Sequence, residues 1–195
     1  VEVCVDGAHA VAHFKFNIPD LNCDYYGASL HKWLSTPLGA GLLYVKKEKM
    51  PGIQPLIVGW EKEPYKMLRI SHTGTHPSHT DLTIEDSIDY YNMIGAERKE
   101  SRLRFIQEYW TSKVRTVPRI IINTPVESHR ACGIANVGIE GIKPGDLAKR
   151  LLDEHRVYTV AIDGANVYGC RITPNVYTTT DELDQFVAAL KKLAS

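Results

Sequence analysis

The first 45 residues alternate short apolar runs with polar breaks marked by glycine and proline, the runs being residues 1–5, residues 23–28 and Gly41–Val45. Largely apolar runs of five or six residues bounded by such punctuation predict strands of an α/β sheet, because a helix needs ten or more periodic positions. From residue 83 to about residue 114 the period changes. Ile84, Ile88, Tyr91 and Ile94, then Leu103, Ile106 and Trp110, recur at helical spacing among charges and are interrupted by Gly95. That pattern predicts a long amphipathic helix with a kink at the glycine. Beyond it, strands are predicted at residues 120–123, 135–139 and 170–173, and helices at residues 145–155 and 180–193. Thr179 followed by Glu182 is a capping-box signal for the last helix. Three segments result: 1–83, a helical 84–115, and 116–195.

The chemistry concentrates at two strand ends. Asp6 closes the first apolar run in Val5-Asp6-Gly7-Ala8-His9, and about 26 residues later comes Gly27-Ala28-Ser29-Leu30-His31-Lys32-Trp33. Alone, an Asp-Gly is an ordinary turn and a lysine in a polar turn is ordinarily solvated. Their joint order and spacing match what a pyridoxal phosphate (PLP) site requires: a carboxylate for the ring nitrogen, donors for the phosphate and an amine for the aldehyde. A carboxylate such as Asp6 keeps the pyridine nitrogen protonated by charge pairing. A lysine can serve as the amine because desolvation and nearby cations favour its neutral, nucleophilic form, and His31 stands next to Lys32. Ser29 and His31, two positions apart on an extended turn, can present Oγ and a ring nitrogen in the same direction.

These two motifs, followed by Pro37-Leu38-Gly39-Ala40-Gly41-Leu42-Leu43-Tyr44-Val45, resemble the class V aminotransferase family of fold-type I PLP enzymes. That family includes cysteine desulfurases, selenocysteine lyases, kynureninase and isopenicillin N epimerase. The resemblance implies that Lys32 carries the cofactor covalently, Asp6 pairs with the pyridinium, Ala8 packs under the ring, and Ser29 and His31 hold the phosphate. His9 stands where many desulfurases have glutamine; it is either a donor to the cofactor's phenolic oxygen or a spacer. Ser71-His72-Thr73-Gly74-Thr75 resembles the family's Gly-Thr turn, implying that Gly74 and Thr75 reach the phosphate of a partner subunit in a homodimer. Val167-Tyr168-Gly169-Cys170-Arg171-Ile172-Thr173 resembles its small-domain arginine strand, implying that Arg171 clamps the substrate carboxylate, a task suited to a planar two-pronged donor.

The implied fold class is α/β: the remnant of a fold-type I large domain (1–83), a domain-spanning helix (84–115) and a C-terminal α+β small domain (116–195). Complete members carry a long preceding stretch, so the chain reads as the C-terminal part of such an enzyme. The implied activity is at the α-carbon of an amino acid, of isopenicillin N epimerase-like, lyase or aminotransferase type. Cysteine desulfurase or selenocysteine lyase activity ranks second, because residues 161–169, where the family's mobile-loop cysteine would precede Arg171, contain none.

Composition narrows the rest. With 23 basic and 23 acidic residues and 44% hydrophobic positions, the chain can bury a real core and lacks the basic excess of a nucleic-acid binder. No apolar run approaches the roughly 18 residues that span a bilayer. Four widely spaced cysteines suggest reduced core thiols and a cytoplasmic location. A rival reading places a metal in His72-Thr73-Gly74-Thr75-His76-Pro77-Ser78-His79, but a structural zinc site normally takes four ligands, often cysteines, and Pro77 marks an irregular loop where no helix would fix i, i+4 geometry. No metal ligand is therefore assigned. A non-catalytic fragment acting as an interaction module is the remaining alternative.

Overall fold

The computed structural model describes every residue except 58, 72, 73, 76 and 77. The chain divides into two compact units, Val1–Ala96 and Glu97–Ser195.

The first unit is built on a three-stranded sheet. Strand β1 (Cys4–Asp6) runs parallel to β2 (Tyr25–Ser29), which pairs antiparallel with β3 (Gly41–Val45). Cys4 lies opposite Tyr25 and Asp6 opposite Gly27, so β1 and β2 end on the same side of the sheet. Strand β1 starts later than the apolar run suggests because its partner begins only at Tyr25. Val3 instead exchanges hydrogen bonds with Asp24, whose carboxylate accepts from Val3 N–H at 2.8 Å. Tyr26 is fully buried, and Cys23, Ala28, Val5, Val11, Phe16 and Leu42 pack around it. Gly7 has no alternative here, since a Cβ would lie 1.9 Å from Tyr26 Cζ. A short helix α1 (Leu68–Ser71) and an eleven-residue helix α2 (Ile84–Ile94) complete the unit. The helix α2 stops at Gly95, whose φ of +89° is a conformation that glycine adopts at little cost.

The second unit begins within α3 (Ala96–Ser112), whose stripe Leu103, Ile106, Trp110 is fully buried, as its spacing predicts. Trp110 meets Phe186 edge-on at 5.2 Å. An antiparallel sheet in the order β4-β5-β7-β6 follows, from β4 (Ile120–Ile122), β5 (Ala135–Ile139), β6 (Val160–Gly164) and β7 (Val167–Ile172). Helix α4 (Pro144–His155) packs on β6 and β7, and α5 (Thr180–Ala194) on β4. The capping box on α5 is present, with Thr179 Oγ1 accepting from Glu182 N–H and the Glu182 carboxylate accepting from Thr179 N–H. Strand β6 is an addition to the sequence reading. It joins β7 through the two-residue turn Ala165-Asn166, both at positive φ as tight hairpins require, but without the glycine that normally announces such a turn.

No helix among the described residues is long and apolar enough to cross a membrane.

Candidate functional site

Asp6 is the last residue of β1 and Ser29 the last of β2. Because the two strands are parallel neighbours, Asp6 and the turn carrying His31 and Lys32 leave the sheet at its carboxyl end, where α/β sheets bind ligands. The Asp6 carboxylate is exposed and oriented: Oδ1 accepts the Ala8 N–H at 3.0 Å. Gly7 N–H donates to Gly27 O at 2.8 Å and Tyr26 OH to Gly7 O at 3.3 Å, which ties the segment to β2. Burial pushes the Tyr26 phenol above its ordinary range, so it remains a donor. Ala8 is buried directly after Asp6.

The Lys32 turn is pinned by its backbone, with Leu30 N–H donating to Ala40 O at 3.1 Å. Ser29, His31 and Lys32 are half-buried. His31 Nδ1 and the hydroxyl of the buried Thr36 are shielded from solvent and have no hydrogen-bond partner. Buried polar atoms are satisfied in the large majority of cases, so two orphans in one turn call for a group rich in acceptor oxygens, which is what a phosphate offers. The donor set therefore fits an anion at this turn.

Residues that the sequence does not single out orient His9. Trp33 Nε1–H donates to His9 Nδ1 at 3.2 Å, and His13 stacks on Trp33 with centroids 4.0 Å apart and planes 2° apart. His13 Nδ1 also lies 2.8 Å from His9 O. An indole can only donate, so His9 Nδ1 carries the lone pair and the ring proton sits on Nε2. Trp33 is 20 residues from His13 and 24 from His9 in sequence, and no local signal announces its contacts with them.

Gly74 and Thr75 are exposed, with Gly74 at φ +83°. They make no hydrogen bond to the Ser29–Lys32 turn among the described residues, and their neighbours His72, Thr73 and His76 lie outside those residues. Arg171 belongs to the second unit. It sits on β7 opposite Asn136 of β5, with its Nε shielded from solvent and without a partner. Cys170 beside it faces the opposite way, fully buried with Sγ 3.5 Å from Pro144 O. Burial raises its pKa, which keeps it a thiol. All four cysteines are free, and three of them are buried.

The profile of the class-V aminotransferases matches residues 1–186. The chain belongs to this family. Isopenicillin N epimerase from Streptomyces clavuligerus is 25% identical over 210 residues, covering 99% of this chain and 53% of the epimerase. A cysteine desulfurase from Cronobacter sakazakii is 28% identical over 216 residues, covering 99% of this chain and 51% of the desulfurase. The chain thus spans about half the length of these curated relatives. The fold is that of solved family structures: a mutant of C-DES with glycine covalently linked to its PLP cofactor superposes with a TM-score of 0.82 at 20% identity, over 97% of this chain and 51% of that one.

Proposed function

We propose that this class-V aminotransferase-family chain is the part of a PLP-dependent enzyme that carries the reactive lysine, acting at the α-carbon of an amino acid. The observation that carries the reading is the shared strand-end placement of Asp6 and the Ser29–Lys32 turn, with His31 Nδ1 and Thr36 Oγ1 buried and unpartnered. In this reading Ser29 and His31 bind the phosphate, Asp6 keeps the ring nitrogen protonated, Ala8 lies under the ring and His9 donates from Nε2 to the phenolic oxygen. Bound PLP supplies an electron sink for the charge left at the α-carbon when its proton departs. Lys32 Nζ would hold the aldehyde of that group, and as a free amine it would take or return that proton. Arg171 grips the substrate carboxylate. Thr75, exposed on its loop, serves the site of a second subunit in a homodimer. The division into large domain (1–83), linking helix (84–115) and small domain (116–195), and a cytoplasmic location in keeping with four unpaired thiols, belong to the same proposal.

Among family chemistries we place epimerase-like, lyase or aminotransferase activity ahead of persulfide transfer. A sulfur-accepting cysteine needs an accessible thiolate on a mobile loop. Here the segment preceding Arg171 is a hairpin closed by two residues, without cysteine, and Cys170 is a buried thiol.

The test is covalent. Borohydride reduction of the PLP-loaded protein, followed by peptide mapping, should leave the pyridoxyl group on Lys32. Labelling of another lysine would end this reading.

A further inference from the structure

The second unit contains a cavity of about 270 Å³ with largely apolar walls, Ile162 and Val167 among them, and with Thr124, Asn136 and Arg171 as its main polar side chains. Thr124 Oγ1 is already engaged by the Asn136 backbone N–H at 2.8 Å. Arg171 and Asn136 are directly opposed across β5 and β7, so both side chains leave the same face of the sheet within about 5.5 Å of each other at Cβ. Arg171 has no ion-pair or hydrogen-bond partner among the described residues, and both its Nε and Asn136 Nδ2 are shielded from water and unpaired.

The orientation of the Asn136 amide follows from its neighbours. Tyr168 O can only accept, so the Asn123 atom 3.1 Å from it is Nδ2; the same Nδ2 lies 2.6 Å from Asn136, whose facing atom is therefore the acceptor Oδ1. The other amide atom is the donor. Gly169 makes room for this arrangement, since a Cβ there would stand 2.5 Å from Asn136 Oδ1.

A cation and a neutral donor lie side by side, both unsatisfied, on an apolar recess. Water alone supplies no counter-charge. A carboxylate has two oxygens and about four acceptor positions, enough for two guanidinium N–H groups and one amide N–H together. We propose that Asn136 is a second donor to the substrate carboxylate held by Arg171, which makes the pair the determinant that selects amino acids over their amides and amines. The inference rests on the role given to Arg171 above.

The experiment is a ¹⁵N NMR titration of this chain with L-alanine and, separately, with L-alaninamide, following Arg171 Nε–H and the Asn136 side-chain NH₂. Alanine should move both signals with one dissociation constant, and alaninamide neither. Asn136→Ala should weaken alanine binding about tenfold or more, the range for a hydrogen bond to a charged group. Asn136→Asp keeps the acceptor that Asn123 needs but sets an anion beside Arg171. It should weaken binding by about a hundredfold or more and shift the Arg171 signal without ligand. Alanine affinity unchanged in both variants, equal binding of the amide, or no response of the Asn136 signal would overturn the proposal. Lys32 labelling is read independently of this titration. Its failure with carboxylate binding intact would sink the PLP reading alone, whereas intact labelling with unaffected Asn136 variants would sink this pairing alone.

Discussion

Gly7→Ala perturbs the tightest point of the candidate site. The new methyl would sit 1.9 Å from both Cζ and Oη of Tyr26 and 2.5 Å from Cε2, about 1.5 Å short of ordinary contact. The ring cannot retreat easily: Tyr26 is fully buried, lies in register between Val5 and Tyr44, and is flanked by Phe16 at 5.7 Å. The segment 6–8 must yield instead, taking with it the Asp6 carboxylate bonded to Ala8 N–H. Overpacking costs about 1–3 kcal/mol, and loss of the Tyr26 OH bond to Gly7 O about 1 kcal/mol more. The expected destabilisation is therefore about 2–4 kcal/mol, or a fall of roughly 1 M or more in the urea midpoint at constant slope. Tyr26→Phe alone should cost only about 1 kcal/mol, and it should not rescue Gly7→Ala because Cζ itself is in the way. Tyr26→Ala should absorb most of the Gly7→Ala penalty, a strongly non-additive pair. A Gly7→Ala protein within about 0.5 kcal/mol of the parent, or additive behaviour with Tyr26→Ala, would refute the argument.

Three further outcomes follow from the second unit. Thr179→Ala removes the cap acceptor for Glu182 N–H and should cost about 1 kcal/mol in urea unfolding. Ala165→Gly relieves a left-handed alanine at φ +50° in the β6–β7 turn and should raise stability by about 0.5–1 kcal/mol, seen as a higher Tm; a lower Tm would contradict the turn geometry. Burial raises the Cys170 and Cys132 thiols above their ordinary value of 9.0, so the native state keeps protons that the unfolded chain releases. Their contribution is complete below that pH and is lost as pH rises past it. Urea midpoints taken from about pH 8 to about pH 10 should fall, and Cys170→Ala, whatever its effect at neutral pH, should fall less steeply.

Periodicity and punctuation carried much of the fold. Gly41–Val45 and Ala135–Ile139 are strands as read, the buried stripe of α3 follows its spacing, and the helix break falls at Gly95. The capping box on α5 was legible because its donors and acceptors lie three residues apart. Strand β6 was not, since the Ala165-Asn166 turn adopts left-handed conformations without glycine and β6 is defined by its pairing with β7.

The candidate site divides along the same line. Asp6, Ser29, His31 and Lys32 could be nominated from residue type and order, because they sit at strand ends and turns that local sequence reveals, whereas Arg171, within β7, was nominated only by its resemblance to the family's arginine strand. That Asp6 and Lys32 emerge at one sheet end required the parallel pairing of β1 with β2, a non-local choice made by burial of Tyr26 and its neighbours. The hydrogen bond from Trp33 that sets the His9 proton, the ring of Tyr26 that leaves room only for glycine at position 7, and the Asn136 amide beside Arg171 are contacts across 19 to 35 residues. Such contacts arise from packing in three dimensions, and no run of neighbouring residues encodes them.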